Sequence, residues 1–285
     1  IADMKGGIAC AMAATRSILL GNEELCGKLW FLITSDEEGE AEFGSRLIVD
    51  KLIENNLSLD YCIIGEPTAI NCTGDMLKIG RRGALSFDLK LFGKSGHVAY
   101  PEQGKNAIHL ASEVIESLNH LKWDIGTALC PGTSLQFTHI NSGKWSDNVI
   151  PDYIFISFNI RYSSEYTKSQ LTELISNSVE EVTDNYELRS YRNCEPYFST
   201  SCNEKNESVV DLVESTIKEM LGFRTKLSTT GGTSDGRFFI EVCPQVIEVG
   251  LPSKTIHQEN ENVKISDMEI LAILYEKLFK DILSK

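Results

Sequence analysis

Apolar residues recur along this chain first at helical spacing and then in short unbroken runs. Gly7 to Leu20 reads as a helix. Lys28 to Thr34 then contains Leu29-Trp30-Phe31-Leu32-Ile33, a continuous apolar run of the kind that a parallel strand covered on both faces requires. A second helix carries Leu47, Ile48, Leu52 and Ile53 on one face, and Tyr61-Cys62-Ile63-Ile64 makes another short strand. Helix and buried strand alternate, which predicts an α/β domain.

The period changes after Arg82-Gly83. Phe87, Leu89 and Leu91 alternate with Ser86, Asp88 and Lys90, the period-two mark of a strand with one face in solvent. A helix over about 105–121, strands near 134–140 and 153–161, a helix over about 167–184 and a strand near 186–192 complete the order βαββαβ, that of a ferredoxin-like fold. Residues 84–192 are therefore expected to form an inserted α+β domain, with 1–83 and 193–285 as a discontinuous α/β domain around it. From about 207 the α/β character returns: a helix closed by Gly222, a loop from Ser228 to Gly236, a short helix, and the strand Gln245-Val246-Ile247-Glu248-Val249. The chain ends on an amphipathic helix. Its start, Ser266-Asp267-Met268-Glu269, fits a capping box, and Ile270, Leu271, Leu274, Leu278 and Ile282 supply its buried stripe.

A formal charge of −14 repels a polyanion, and the lysines and arginines form no basic stripe, so nucleic acid is not expected as a partner. The apolar runs are too short to cross a bilayer, so no membrane partner is expected and the protein is read as cytoplasmic. Eight cysteines without a CxxC pair read as scattered reduced thiols rather than a disulfide or Cys-zinc framework. The opening, Ile1-Ala2-Asp3-Met4-Lys5-Gly6-Gly7, runs into an alanine-rich helix with no leading strand, so the sequence reads as starting in the middle of a domain.

In open parallel α/β sheets, ligands collect outside the carboxyl ends of the strands. The acidic residues fall there: Glu37 and Glu38 leave one apolar strand, Glu66 leaves another, His257 sits in the loop after a third, and Asp3 immediately precedes a helix. Singly each has a bland reading, as a helix-initiating acid, a solvated loop or a turn. Jointly, several acids gathered without a cation would repel one another and raise their own pKa values, whereas two divalent ions would neutralise them. An Asp can bridge two such ions, with a Glu or His completing each.

Eight segments occur in the order seen in one enzyme family: Ala2-Asp3-Met4-Lys5-Gly6-Gly7, Ser35-Asp36-Glu37-Glu38-Gly39, Gly65-Glu66-Pro67, Arg81-Arg82-Gly83, Gly96-His97-Val98-Ala99-Tyr100-Pro101, Asn148-Val149-Ile150-Pro151, Gly231-Gly232-Thr233-Ser234-Asp235-Gly236-Arg237-Phe238 and Thr255-Ile256-His257. The chain thereby resembles, over nearly its whole length, the co-catalytic zinc amidohydrolases, and within them the succinyl-diaminopimelate desuccinylases more than the acetylornithine deacetylases and carboxypeptidases of the same fold. The resemblance implies a zinc-peptidase-like catalytic domain lacking its N-terminal part, with a ferredoxin-like dimerisation domain inserted. It makes Asp3 the metal bridge, Glu38 and His257 ligands of one ion, Glu66 a ligand of the other, and Glu37 the general base. His97 is implied to stabilise the oxyanion in the site of the partner subunit of a homodimer.

The implied substrate, N-succinyl-LL-2,6-diaminopimelate, carries carboxylates at both ends, so Arg81, Tyr100, Asn148, Arg161 and the Gly232-Thr233 backbone before a helix are expected to bind it. The complete enzyme is expected to hold two divalent ions, zinc or cobalt. This chain is expected to bind one or fewer tightly and to be impaired, because the family's other ligating His lies upstream of the Asp3 motif. Ala84, where a hydroxyl residue is usual, and Ser253, where Asn is usual, depart from the pattern at positions implied to touch substrate. A deacylase or dipeptidase of the same family, and a non-catalytic truncated relative, are the competing readings.

Overall fold

The computed structural model describes residues 1–21, 25–35, 37, 43–200, 202 and 208–284. In chain order its elements are α1 (Lys5–Leu20), α2 (Ser45–Glu54), β1 (Cys62–Ile64), β2 (Met76–Lys78), β3 (Gly80–Arg81), β4 (Gly83–Phe92), β5 (Gly96–His97) and α3 (Ala107–His120). There follow β6 (Ser134–Asn141), β7 (Val149–Ile150), β8 (Tyr153–Tyr162), α4 (Lys168–Glu180), β9 (Tyr186–Cys194) and β10 (Tyr197–Phe198). The chain closes with α5 (Val209–Leu221), β11 (Lys226–Ser228), α6 (Gly236–Phe239), β12 (Val246–Glu248) and α7 (Ile265–Leu283). Ile1–Arg81 with Tyr197–Lys285 form one compact unit, and Arg82–Pro196 forms another.

In the first unit the strands lie in the order β1-β12-β2-β11. β1 runs parallel to β12 and β11 parallel to β2, while β12 meets β2 antiparallel with Glu248 opposite Lys78. Successive residues of β12 face opposite ways. Val246 accordingly packs with Val49 and Leu52 of α2 and Phe239 of α6. Ile247 packs with Cys10 and Ile18 of α1, Val213 of α5 and Leu271, Leu274 and Leu278 of α7. The sheet is thus covered on both faces, as its apolar strands require.

Two local expectations need correction. The apolar run 28–34 forms no strand: it has no ladder partner among the described residues, and Trp30, Phe31 and Ile33 stay 42, 40 and 60% exposed. A run of apolar residues makes a strand only where a neighbour satisfies its backbone groups. The capping box is also absent, because α7 begins at Ile265 and Ser266 already lies inside the helix. Asp267 instead accepts the Thr73 N–H at 2.9 Å, and Thr73 Oγ1 donates to the Asp267 carbonyl at 3.0 Å, tying the start of α7 to the turn before β2.

The second unit carries the antiparallel sheet β6-β8-β4-β9 with α3 and α4 against one face, the βαββαβ arrangement that the alternating pattern predicts. Leu85, Phe87, Leu89 and Leu91 point into the core with Ile154, Ile156, Phe158 and Ile160. Phe87 stacks on Phe158 at 5.1 Å between ring centres. Each such buried side chain contributes about 1.5–3 kcal/mol, so this layer alone dominates the unit's stability. A capping box starts α4: Thr167 Oγ1 accepts from Gln170 N, while Gln170 Oε1 accepts from Thr167 N at 2.9 Å.

Candidate active site

β1 ends at Ile64 and passes the chain to Gly65-Glu66-Pro67. The start of α1 packs closely on this turn, for a Cβ on Gly7 would collide with the Gly65 carbonyl. Asp3, just ahead of α1, is thereby carried close enough to Glu66 to act on its charge. The Ala2 and Asp3 N–H groups donate to Glu261 Oε1 at 2.8 and 3.3 Å, which fixes this segment. His257 lies in the loop after β12 with φ +56°, and its Nε2 is 3.1 Å from Asp3 Oδ2. That loop is held by Ser253 N–H donating to the Ala69 carbonyl at 2.9 Å and by Thr255 Oγ1 donating to the Asn262 carbonyl at 2.7 Å.

Burial, followed by the nearby carboxylates of Glu37 and Asp3, pushes the Glu66 carboxyl up to about 8, with Glu248 adding to the effect and Arg81 opposing it. Asp3, Glu37, Glu66 and His257 are therefore brought into one neighbourhood, while Glu38 lies outside the described residues. Among the described residues, a set without Glu38, no three of His, Cys, Asp and Glu are close enough to hold a metal ion as a group. The donors that are gathered, oxygens that repel one another and an imidazole, suit a divalent cation, which would relieve that repulsion.

Beside this neighbourhood lies a second cluster of buried charge. Arg81 is buried, and its Nε donates to Glu248 Oε1 and Oε2 at 2.9 and 3.1 Å, while Nη2 pairs with Glu248 Oε2. Its Nη1 donates to the carbonyls of Thr230 and Gly232 at 3.1 and 3.4 Å. The guanidinium assigned to substrate by its motif is thus engaged within the protein on all three nitrogens. Lys78 Nζ donates to Thr230 Oγ1 at 2.7 Å, and burial, with Arg81 next, lowers its pKa to about 8. The glycine loop carrying Gly232 and Thr233 leads into α6, but α6 is a single turn of four residues, so it offers N–H groups without an appreciable macrodipole.

The second unit holds His97, Tyr100, Asn148 and Arg161. β5 pairs with β7, setting His97 opposite Val149, and Val98 N–H donates to the Asn148 carbonyl at 3.1 Å. The His97 and Tyr100 rings meet edge to face at 5.9 Å. Ala99 N–H donates to His97 Nδ1 at 3.1 Å, so the neutral imidazole carries its proton on Nε2. Arg161 lies opposite Ala84 in the β4–β8 ladder, where burial and the neighbouring Arg82 lower its pKa.

The sequence model of peptidase family M20/M25/M40 matches residues 1–281. The chain belongs to this family. It is an M20 enzyme similar to succinyl-diaminopimelate desuccinylase 1 of Alteromonas mediterranea, at 44% identity over 96% of this chain and 70% of that relative. It is also similar to succinyl-diaminopimelate desuccinylase 2 of Shewanella loihica, at 43% identity over 97% of this chain and 74% of that relative. In fold it matches the aminopeptidase PepT of Bacillus cereus, with a TM-score of 0.78 at 17% identity over 99% of this chain and 71% of that one. The Bacillus subtilis YXEP protein, described as a dinuclear metal binding peptidase of the M20 family, matches with a TM-score of 0.69 at 15% identity over 98% of this chain and 72% of that one.

Three residues of the buried cluster beside this neighbourhood escaped the sequence reading: Lys78, Tyr197 and Glu248. Two had a signal. Lys78 interrupts Met76-Leu77-Lys78-Ile79 and Glu248 interrupts Val246-Ile247-Glu248-Val249, and a charge inside an otherwise apolar strand is rarely buried without a partner. Tyr197, in a two-residue strand, had none.

Proposed function

We propose that this M20 enzyme hydrolyses the amide bond of N-succinyl-LL-2,6-diaminopimelate to succinate and LL-2,6-diaminopimelate, a step of diaminopimelate and lysine biosynthesis. Its likeness to two desuccinylases over nearly its whole length supports the substrate. The observation that carries the chemistry is the gathering of Asp3, Glu37, Glu66 and His257.

Asp3, Glu66 and His257, with Glu38, would be ligands of divalent metal, zinc or cobalt. Bound there, the metal supplies Lewis-acid polarisation of the amide carbonyl and favours deprotonation of water. Glu37 takes the proton from the attacking water and returns it to the leaving amine as the C–N bond breaks. His97, with its proton on Nε2, is the donor for the oxyanion. The Gly232-Thr233 backbone with the Thr233 hydroxyl, Asn148, Tyr100 and Arg161 are each assigned to substrate carboxylates, and Arg81 holds the loop through the Thr230 and Gly232 carbonyls. The second unit mediates a homodimer, through which His97 serves the partner's site. Edge strand β6 with exposed Ile140, followed by Trp145 at 84% exposure, supports that assignment.

The Glu37→Gln variant tests the division of roles. Turnover should fall by about 10²–10⁴, the worth of a general acid–base, with metal content unchanged on analysis of the purified protein. Metal lost in step with activity would make Glu37 a ligand and refute the assignment.

A further inference from the structure

Glu248 has no part in the chemistry assigned above, yet its side chain is fully buried at the end of β12, beside the acidic neighbourhood. A carboxylate taken out of water persists only where partners replace its hydration. Arg81 supplies Nε and Nη2, and the Tyr197 hydroxyl donates to Oε1. Arg81 and Tyr197 are themselves ladder partners between β3 and β10, the last residue of the first unit before the chain leaves it and the first after it returns. One carboxylate therefore fixes both crossing strands.

The remaining nitrogen of Arg81 points the other way. Nη1 donates to the Thr230 and Gly232 carbonyls, on either side of Gly231. Gly231 has φ +110°, and a Cβ there would collide with Nη1, so the loop closes directly around the guanidinium. A buried ion pair is often no more stabilising than apolar side chains of the same volume, so stability alone does not account for it. What apolar packing cannot supply is direction: a fork held by Glu248 at one end aims two hydrogen bonds at the loop backbone at the other.

We propose that Glu248, assisted by Tyr197, is a positioning residue for substrate binding: through Arg81 it sets the backbone of Thr230 to Gly232, and so the Gly232-Thr233 edge, whose N–H groups and Thr233 hydroxyl receive a substrate carboxylate. The proposal rests on the reading of Gly232 and Thr233 given above, and the test separates the two.

Glu248→Gln, Tyr197→Phe and Thr233→Val are compared with the parent chain by backbone amide exchange over residues 228–236 and by KM and kcat on N-succinyl-LL-2,6-diaminopimelate. Glu248→Gln should speed exchange in that segment about tenfold and raise KM about tenfold, with kcat changed by less than about threefold. Tyr197→Phe should move both in the same direction by a smaller factor, and it carries the test if Glu248→Gln does not fold. Thr233→Val should raise KM without changing exchange. Exchange that rises evenly across the first unit in Glu248→Gln would mean a purely structural role and overturn the proposal. KM raised by Thr233→Val but not by Glu248→Gln or Tyr197→Phe would overturn the proposal alone. KM unchanged in Thr233→Val would overturn the reading of the loop, and the proposal with it.

Discussion

In the first unit Lys78, Arg81 and Glu248 are at most 8% exposed, Arg81 and Glu248 joined by an ion pair and Lys78 and Arg81 both hydrogen-bonded to Thr230. In the second unit His97, Tyr100 and Asn148 stand exposed on a short two-stranded edge, held mainly by backbone hydrogen bonds and one ring contact. Burial fixes a charged group within a fraction of an ångström but makes each partner indispensable, because removing one strands the other in a medium that solvates it poorly. An exposed edge holds its side chains loosely and costs little to change. Residues that shape a pocket can be of the first kind, whereas residues that meet a ligand from solvent suit the second.

Arg81→Met should therefore cost the folded state about 3–5 kcal/mol by urea denaturation, since Glu248 would stay buried with the Tyr197 hydroxyl as its principal remaining donor. A loss below about 1 kcal/mol would mean that Glu248 does not depend on Arg81 for its burial. His97→Ala should lower turnover by about 10²–10³, the worth of one oxyanion donor, while stability stays within about 0.5 kcal/mol of the parent. Equal stability losses in the two variants would mean that exposure and interlocking do not govern the outcome.

The smallest effect expected is one of pH. Burial, then Arg81, lowers Lys78 to about 8 from 10.5, with Glu248 opposing and Lys226 adding to the shift. The folded chain thus releases this proton before the unfolded chain does, so the cost of burying the ammonium is full below about pH 8 and is relieved as pH rises towards 10.5. The stability of the parent relative to Lys78→Met should rise by about 1–2 kcal/mol across that window, after allowance for solvent screening. A flat difference would place Lys78 in a better-solvated setting.

Periodicity read the second unit well because its strands are long: ten residues of β4 alternate buried and partly exposed with few exceptions, and ten of β8 pair with it in unbroken register. It read the first unit less well. β2, β11 and β12 are three residues each, too short to show a period, and β2 and β11 were both missed. Run 28–34 shows the converse, since composition favours a strand but cannot supply the neighbour that makes one. The gathering of Asp3, Glu66 and His257 was legible because each follows or precedes an element at one sheet edge. Arg81 was expected from its motif to bind substrate, and its bridge to Glu248 was not legible, because that partner lies 167 positions further along the chain. Such a contact is a product of sheet order, which no local pattern encodes.

Removal of a succinyl group is measured by comparing kcat/KM on N-succinyl- and N-acetyl-LL-2,6-diaminopimelate with zinc supplied. The second carboxylate of the succinyl group can form charge-assisted hydrogen bonds that an acetyl group cannot, each worth about 1.5–3 kcal/mol. A preference of roughly 10–100-fold for the succinylated substrate is expected. Equal rates, or a preference for the acetylated one, would contradict the proposed activity.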